Sequence, residues 1–342
     1  MSATTFVECH PVRARLPAIL GLLTSLTLAT AGVAAAAKGG FSPVAPESPN
    51  ADRIQTTYWV VFGFAVAVFV VVEVLLVLYI VRYRSRGRGR EVEGPQVRGH
   101  TRVELAWTAV PVLILAAIAV FTFYKLPGIK NVPEAGAAGN LQIGIQGRQF
   151  YWEFTYPNGV IAVNRMRVPV SRVVELNVTS PTTDVIHSWW IPSLGGKIDA
   201  IPGKMNHTWF QATKTGTYKG RCAEFCGIQH AEMRADVQAL PAPAFYRWLQ
   251  SEARAQTEGT SGLGQQTFEG VCAPCHGMQG EGGIGPPLKG SSLLTDEKSL
   301  TTLLENGGKL MPAVGKGWSA LQKHALFAYV ARTIAKGQTS GG

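Results

Sequence analysis

Between Arg221 and Met233 the chain reads RCAEFCGIQHAEM, which sets Cys222, Cys226, His230 and Met233 at intervals of four, four and three. Such intervals also describe one stripe of an amphipathic helix. A packing stripe draws on Leu, Ile and Val, however, whereas every position here is a soft metal donor. Two thiolates, an imidazole and a thioether form a set that favours copper over magnesium or calcium. The flanking GTYKG and RADVQAL read as strands, so the donors occupy a loop at one end of a β-sandwich, where they can converge. Cys226, His230 and Met233 with one distant histidine would make a mononuclear blue-copper site. Cys222 changes that expectation, because two thiolates can bridge two metals. The distant histidine is His187, in TTDVIHSWW, or alternatively His207, in MNHTWF.

A second pair of cysteines stands in CAPCH, Cys272 to His276. In C-x-x-C-H two thioethers hold a haem c and the adjacent histidine binds its iron. A thioredoxin-like dithiol would need a strand–helix setting, and here glycine-rich loop and helices surround the pair. The sixth iron ligand must come from the opposite face. Met278 is too close to His276 to fold round, whereas Met311, in KLMPAVG, has the necessary length of chain. A thioether opposite a histidine raises the iron's potential and favours electron transfer. His324 reads as an ordinary helix histidine. Disulfides are the competing reading in an exported compartment, but each pair is joined in sequence to a histidine, which a bridge does not require.

The elements that must position these groups are legible in the texture. Residues 125–241 alternate β-branched and aromatic runs with Gly and Pro, from LQIGIQGRQFYWEF to RADVQAL, as in a sandwich or barrel. Residues 242–261 read as a short amphipathic helix and a flexible linker, and residues 262–342 as a small helical domain. Upstream lie three apolar stretches. The first, 16–37, has the basic start and small-residue finish of a signal peptide, expected over residues 1–37. Residues 38–57 would follow as an exported segment. The other two, 58–81 and 105–124, are each long enough to cross a core about 30 Å thick at about 1.5 Å per residue, giving a hairpin over 58–124.

The net charge of +10 does not indicate a nucleic-acid partner, because seven arginines from Arg82 to Arg102 crowd the segment between the two spans. By the positive-inside rule that segment is cytoplasmic and everything after the second span is exported.

The run DVIHSWWIPSLGGKIDAIPG followed by CAEFCGIQHAEM closely resembles subunit II of haem–copper cytochrome c oxidases, and the likeness extends from SPNADRI to Leu240. The resemblance implies a multidomain membrane protein with a two-helix transmembrane hairpin, an all-β cupredoxin-like sandwich carrying the binuclear copper centre CuA, and an all-α cytochrome c domain. Cys222 and Cys226 would be bridging thiolates, His187 and His230 terminal ligands, Met233 a weak ligand and Glu224 a ligand through its backbone carbonyl. In that family the same glutamate's side chain helps bind a magnesium shared with subunit I. The appended haem makes the chain similar to the fused subunit II of caa-type oxidases. The implied role is an electron relay of a proton-pumping oxidase in a bacterial plasma membrane. Its partners would be subunits I and III and an upstream cytochrome or quinol–cytochrome reductase.

Similarity to the family also places Glu104, in RVELAW, at the cytoplasmic mouth of a proton path, although a solvated helix-start glutamate is an equal reading. Glu73, inside the first span, should face a protein partner or stay protonated. Where the family shows a tryptophan at the start of the aromatic run that receives electrons, this chain has Phe150, followed by Tyr151 and Trp152. The tethered haem domain is therefore expected to dock near this run. A membrane-anchored copper-delivery protein is the rival function, but it has no need of a haem or of Met233. Nitrous oxide reductase needs a large second copper domain, and quinol-oxidase subunit II lacks Cys222 and Cys226.

Overall fold

The structure is a computed structural model that describes residues 42–83, 96, 98–134, 139–259 and 262–335. The expected signal peptide, the arginines at 84, 86, 88 and 90, and the end of the expected linker lie outside these residues. Helix α1, Pro49–Tyr83, and helix α2, Thr101–Lys130, are both apolar and long enough to span a membrane. Most of their Val, Leu and Phe side chains point outward, unburied by the other described residues. Helix α1 begins well ahead of residue 58, because Pro49 is compatible with a first helical turn and Asp52 complements its dipole there. Helix α2 likewise runs beyond residue 124.

These extra turns anchor the exported domain. Asn50 Nδ2 donates to the Trp209 carbonyl at 2.8 Å, and Trp209 Nε1 donates to the Ile129 carbonyl at 3.1 Å. One tryptophan of the sandwich thus ties together the exported ends of both helices.

The sandwich is built from ten strands: β1 Leu141–Arg148, β2 Tyr151–Thr155, β3 Ile161–Val163, β4 Arg165–Pro169, β5 Val174–Thr179, β6 His187–Trp190, β7 Ile198–Ala200, β8 Asn206–Phe210, β9 Gly216–Cys222 and β10 Arg234–Leu240. They form two sheets, ordered β3-β2-β1-β5-β8 and β4-β10-β9-β6-β7. Alternation with period two decides which side chains enter the core. Ile143 and Ile145 of β1, Val174, Leu176 and Val178 of β5, and Ala235, Val237 and Ala239 of β10 all point inward. Strand β7 was not foreseen; its three residues are too few for a pattern, and pairing with β6 defines it.

Helix α3, Ala242–Thr257, is no free tether. Phe245 is fully buried in the sandwich core, and Trp248 meets Tyr156 edge-on at 5.3 Å. The helical domain follows, with α4 Leu263–Thr267, a π-helical turn Phe268–Cys272, α5 Ala273–His276, α6 Glu297–Asn306 and α7 Ala320–Tyr329. Gly264 lets α4 cross α7 closely, since a Cβ there would stand 2.0 Å from the Ala325 carbonyl oxygen.

This domain packs on the β2–β3 edge of the sandwich, a strand edge that would otherwise expose unpaired backbone. Tyr151 is completely buried among helical-domain side chains, and its ring meets that of Trp318 edge-on at 6.2 Å. Trp318 Nε1 donates to the Tyr151 hydroxyl at 2.5 Å, and Arg148 donates to the Lys316 carbonyl at 2.7 Å. Arg148 and Glu153 form a buried ion pair at 3.8 Å, and Gln322 also donates to Glu153. A buried pair needs such extra hydrogen bonds to offset its desolvation.

Phe245→Ala should destabilise the sandwich by about 3–5 kcal/mol, the usual cost of emptying a buried phenylalanine site. Chemical unfolding followed by tryptophan fluorescence checks this. A helix serving only as linker would give no change.

Candidate metal centres

Strand β9 ends at Cys222 and β10 begins at Arg234, so the donor-rich loop joins two hydrogen-bonded neighbours. Its neck is closed where Cys222 N–H donates to the Met233 carbonyl at 2.9 Å. Ala223 N–H, donating to the Ser188 carbonyl at 2.8 Å, docks the loop beside the start of β6, where His187 stands. Within the loop a short 3-10 turn, His230–Glu232, folds back on the Gln229 carbonyl, which accepts from Glu232 N at 3.0 Å and Met233 N at 3.2 Å.

This folding gathers the donors. Cys222 Sγ, Cys226 Sγ and a ring nitrogen of His187 all lie within 4.8 Å of one another, and all three residues are buried. His187 Nδ1 is 4.0 Å from Cys222 Sγ, His230 Nδ1 is 3.6 Å from Cys226 Sγ, and Met233 Sδ is 3.7 Å from Cys226 Sγ. The Glu224 carbonyl oxygen lies 3.2 Å from Cys222 Sγ. Both cysteines are free thiols. His207 is elsewhere, exposed on β8 and bonded to Asn177 at 2.8 Å, which leaves His187 as the distant histidine. The Glu224 carboxylate is exposed and lies 3.8 Å from Lys197.

Electrostatics agree with a pair of thiols sharing one site. The adjoining Cys226 thiol, outweighing burial and helped by His187, draws Cys222 down to about 3; the same contact together with burial pushes Cys226 up. Two thiolates so close repel unless a cation joins them. Two sulfurs, two imidazoles and weak sulfur and carbonyl donors fit soft, copper-class metal.

Asp184, a residue the sequence reading passed over, fixes the geometry of His187. Its Oδ1 lies 3.2 Å from His187 Nε2, so that nitrogen carries the proton and Nδ1 is left for a metal. Burial raises the Asp184 pKa, but hydrogen bonds from His187, Val185 N and Gln149 N overcome it and hold the carboxyl below its usual range. The acid three places ahead of a histidine in TTDVIH was the available signal. Gly147 is needed beneath the ring, since a Cβ there would stand 2.9 Å from that of His187.

The aromatic run frames this centre from within. Trp152 is fully buried with its ring 6.0 Å from that of His187, and Phe150 lies over Gly227, where a Cβ would come within 2.8 Å of its ring. Tyr151, on the opposite face of the strand, belongs to the interface with the helical domain.

In that domain Cys272 closes the π-helical turn, and Cys275 and His276 end α5. All four cysteines among the described residues are free. His276 Nδ1 donates to the Pro286 carbonyl at 2.7 Å, which leaves Nε2 for iron. Gly285 packs under the ring, where a Cβ would stand 2.7 Å from Cε1. Met311 is half-buried beside the same apolar cluster as Cys272, whereas Met278 is exposed. His324 is exposed and pairs with Glu297 at 2.9 Å. Two thiols one helical turn apart, an oriented imidazole and a half-buried thioether fit a haem c.

Glu104 lies in the first turn of α2, exposed, and accepts from His100 N–H at 3.0 Å. It caps the helix.

Asp184→Ala should weaken copper binding by roughly 10- to 100-fold, the usual effect of removing a carboxylate behind a ligating histidine. Competition with a copper(I) chelator measures it. An unchanged affinity would detach Asp184 from the site.

Comparison with known proteins agrees with this geometry. The family model of the cytochrome c oxidase subunit II periplasmic domain matches residues 159–240, and that of the subunit II transmembrane domain matches residues 37–124. The model of subunit III of cbb3-type cytochrome c oxidase matches residues 262–330. Cytochrome c oxidase subunit 2 of Alkalihalophilus pseudofirmus is 36% identical over 200 residues, which are 56% of this chain and 58% of that protein. That of a Bacillus species is 33% identical over 198 residues, 54% of this chain and 55% of that protein. That of Branchiostoma floridae is 34% identical over 174 residues, 44% of this chain and 72% of that protein. The chain thus spans little more than half the length of the first two relatives and nearly three quarters of the third. With both membrane helices, the sandwich and its donor loop accounted for, the chain belongs to the cytochrome c oxidase subunit II family.

Proposed function

We propose that this chain is the electron-relay subunit of a membrane-bound terminal oxidase, accepting electrons in its helical domain and passing them through the sandwich to subunit I. The observation that carries the reading is the convergence of the buried Cys222, Cys226 and His187 within 4.8 Å, in a chain that also holds a C-x-x-C-H segment. When bound, a copper pair at the first site and a haem c at the second supply reversible one-electron exchange, while reduction of O2 to water belongs to subunit I.

We assign the residues their tasks by this reading. Cys222, Cys226, His187 and His230 would hold the copper pair, the two thiolates shared between the metals, with Met233 and the Glu224 carbonyl as weak donors. Cys272 and Cys275 would attach a haem c through thioethers, and His276 and Met311 would bind its iron. The loop neck and the Asp184 bond hold the donors in place, so a bound copper pair would change oxidation state with little rearrangement. For one electron about 59 mV is a tenfold change in equilibrium, so modest differences in these ligands suffice to order the steps.

The Glu224 side chain, exposed beside Lys197, is suited to a magnesium shared with subunit I, and Glu104 to receiving protons at the opposite membrane face. The outward apolar faces of α1 and α2 are available to subunit I and lipid, with subunit III a further neighbour. The assembly would sit in a bacterial plasma membrane with both metal domains outside. Since the helical domain covers Tyr151, an external donor, either a cytochrome or a quinol–cytochrome reductase, would deliver to the haem alone.

Flash reduction of the haem followed by copper absorbance tests the relay. The expected decay is first-order and independent of protein concentration; a rate proportional to concentration would contradict it. Gly270→Leu should slow the transfer, because even a Cβ at Gly270 would stand 2.7 Å from Asn164 Nδ2 on the sandwich.

A further inference from the structure

Gln229 belongs to the copper loop by its backbone and to the haem-attachment turn by its side chain. It precedes His230, and its carbonyl accepts the Glu232 and Met233 amides that build the ligand turn. The residue is nearly inaccessible at 5% exposure, and its side chain reaches the helical domain. There Nε2 lies 3.4 Å from the Pro274 carbonyl oxygen and 3.8 Å from Cys275 Sγ. An amide NH2 has two hydrogens, and a cysteine sulfur keeps acceptor lone pairs after it becomes a thioether, so both contacts are compatible with an attached haem. A buried amide needs partners, and Gln229 finds them on the facing turn. Parting the two loops exchanges these contacts for water, so they favour the closed arrangement by the modest net worth of a hydrogen bond.

Other contacts join the domains as bodies: Tyr151 with Trp318, Arg148 with the Lys316 carbonyl, and Asn164 Nδ2 with the Gly270 carbonyl at 3.3 Å. Each of these arises from the β1–β4 region rather than from the loop that holds the donors. Gln229 acts on the two site-bearing segments themselves: it adjoins His230 in its own loop and meets Cys275, a haem-attachment residue, across the gap.

We propose that Gln229 is a positioning residue that clamps the haem-attachment turn to the copper loop and so holds Cys275 and His230 in register for electron transfer within one chain. The proposal rests on the electron-relay reading above.

The test compares full-length chains carrying copper and haem, with Gln229→Leu, which keeps bulk but has no donor, and Gln229→Asn, whose amide is one methylene too short. Hydrogen exchange at the Gly277 and Gly285 amides, which close the turn onto Ala273 and Cys275, should lose protection by roughly five- to tenfold, the equilibrium worth of about one hydrogen bond. Transfer after flash reduction should slow in both variants, while the copper near-infrared band and the haem spectrum keep their parental form. Unchanged protection or unchanged transfer in Gln229→Leu overturns the proposal. So does an altered near-infrared band in either variant, which would make Gln229 a support of the copper site alone. Absence of haem-to-copper transfer in the parent chain would instead sink the relay reading and take this proposal with it.

Discussion

Two buried cysteine sulfurs held side by side, without a bond between them, are an unstable arrangement unless a cation occupies the space they share. Like charges at that separation cannot both persist, and a free dithiol in an exported compartment is open to oxidation. Everything around Cys222 and Cys226 maintains that arrangement. Their loop is pinched shut by a backbone bond from Cys222 to Met233 and seated on β6 by Ala223. His187 is held from behind by Asp184. The sandwich is the frame that brings a residue of β6 against a turn between β9 and β10.

The chemistry was more legible than the frame. Donor types and spacing identified both centres, because no ordinary core uses Cys, His and Met at those intervals. Strands with clean alternation, such as β1, β5 and β10, were equally plain. What stayed hidden was whatever depends on partners distant in sequence. Strand β7 exists through its pairing with β6. Helix α3 reads as a tether until Phe245 is found inside the core, and Gly147 is ordinary until a histidine ring is laid over it. His187 and His207 were separable by resemblance, and in the fold only one of them meets the cysteines.

The aromatic run gives the same lesson in function. Successive residues of a strand face opposite ways, so Tyr151 and Trp152 of β2 divide their roles, with Phe150 in the turn ahead of them. Trp152 meets the ring of His187 and Phe150 lies over Gly227 of the copper loop, whereas Tyr151 faces the helical domain and is sealed by Trp318. That surface is covered by the chain's own helical domain, and the contacts of Gln229 show how closely the copper loop and the haem-attachment turn have been brought together.

The most direct test of the central claim is electron paramagnetic resonance of the copper-loaded full-length chain, with copper counted per polypeptide. The account predicts two coppers and a hyperfine pattern from one unpaired electron shared equally by two nuclei. A single copper with the pattern of one nucleus, or a Cys222–Cys226 disulfide in the working protein, would contradict it.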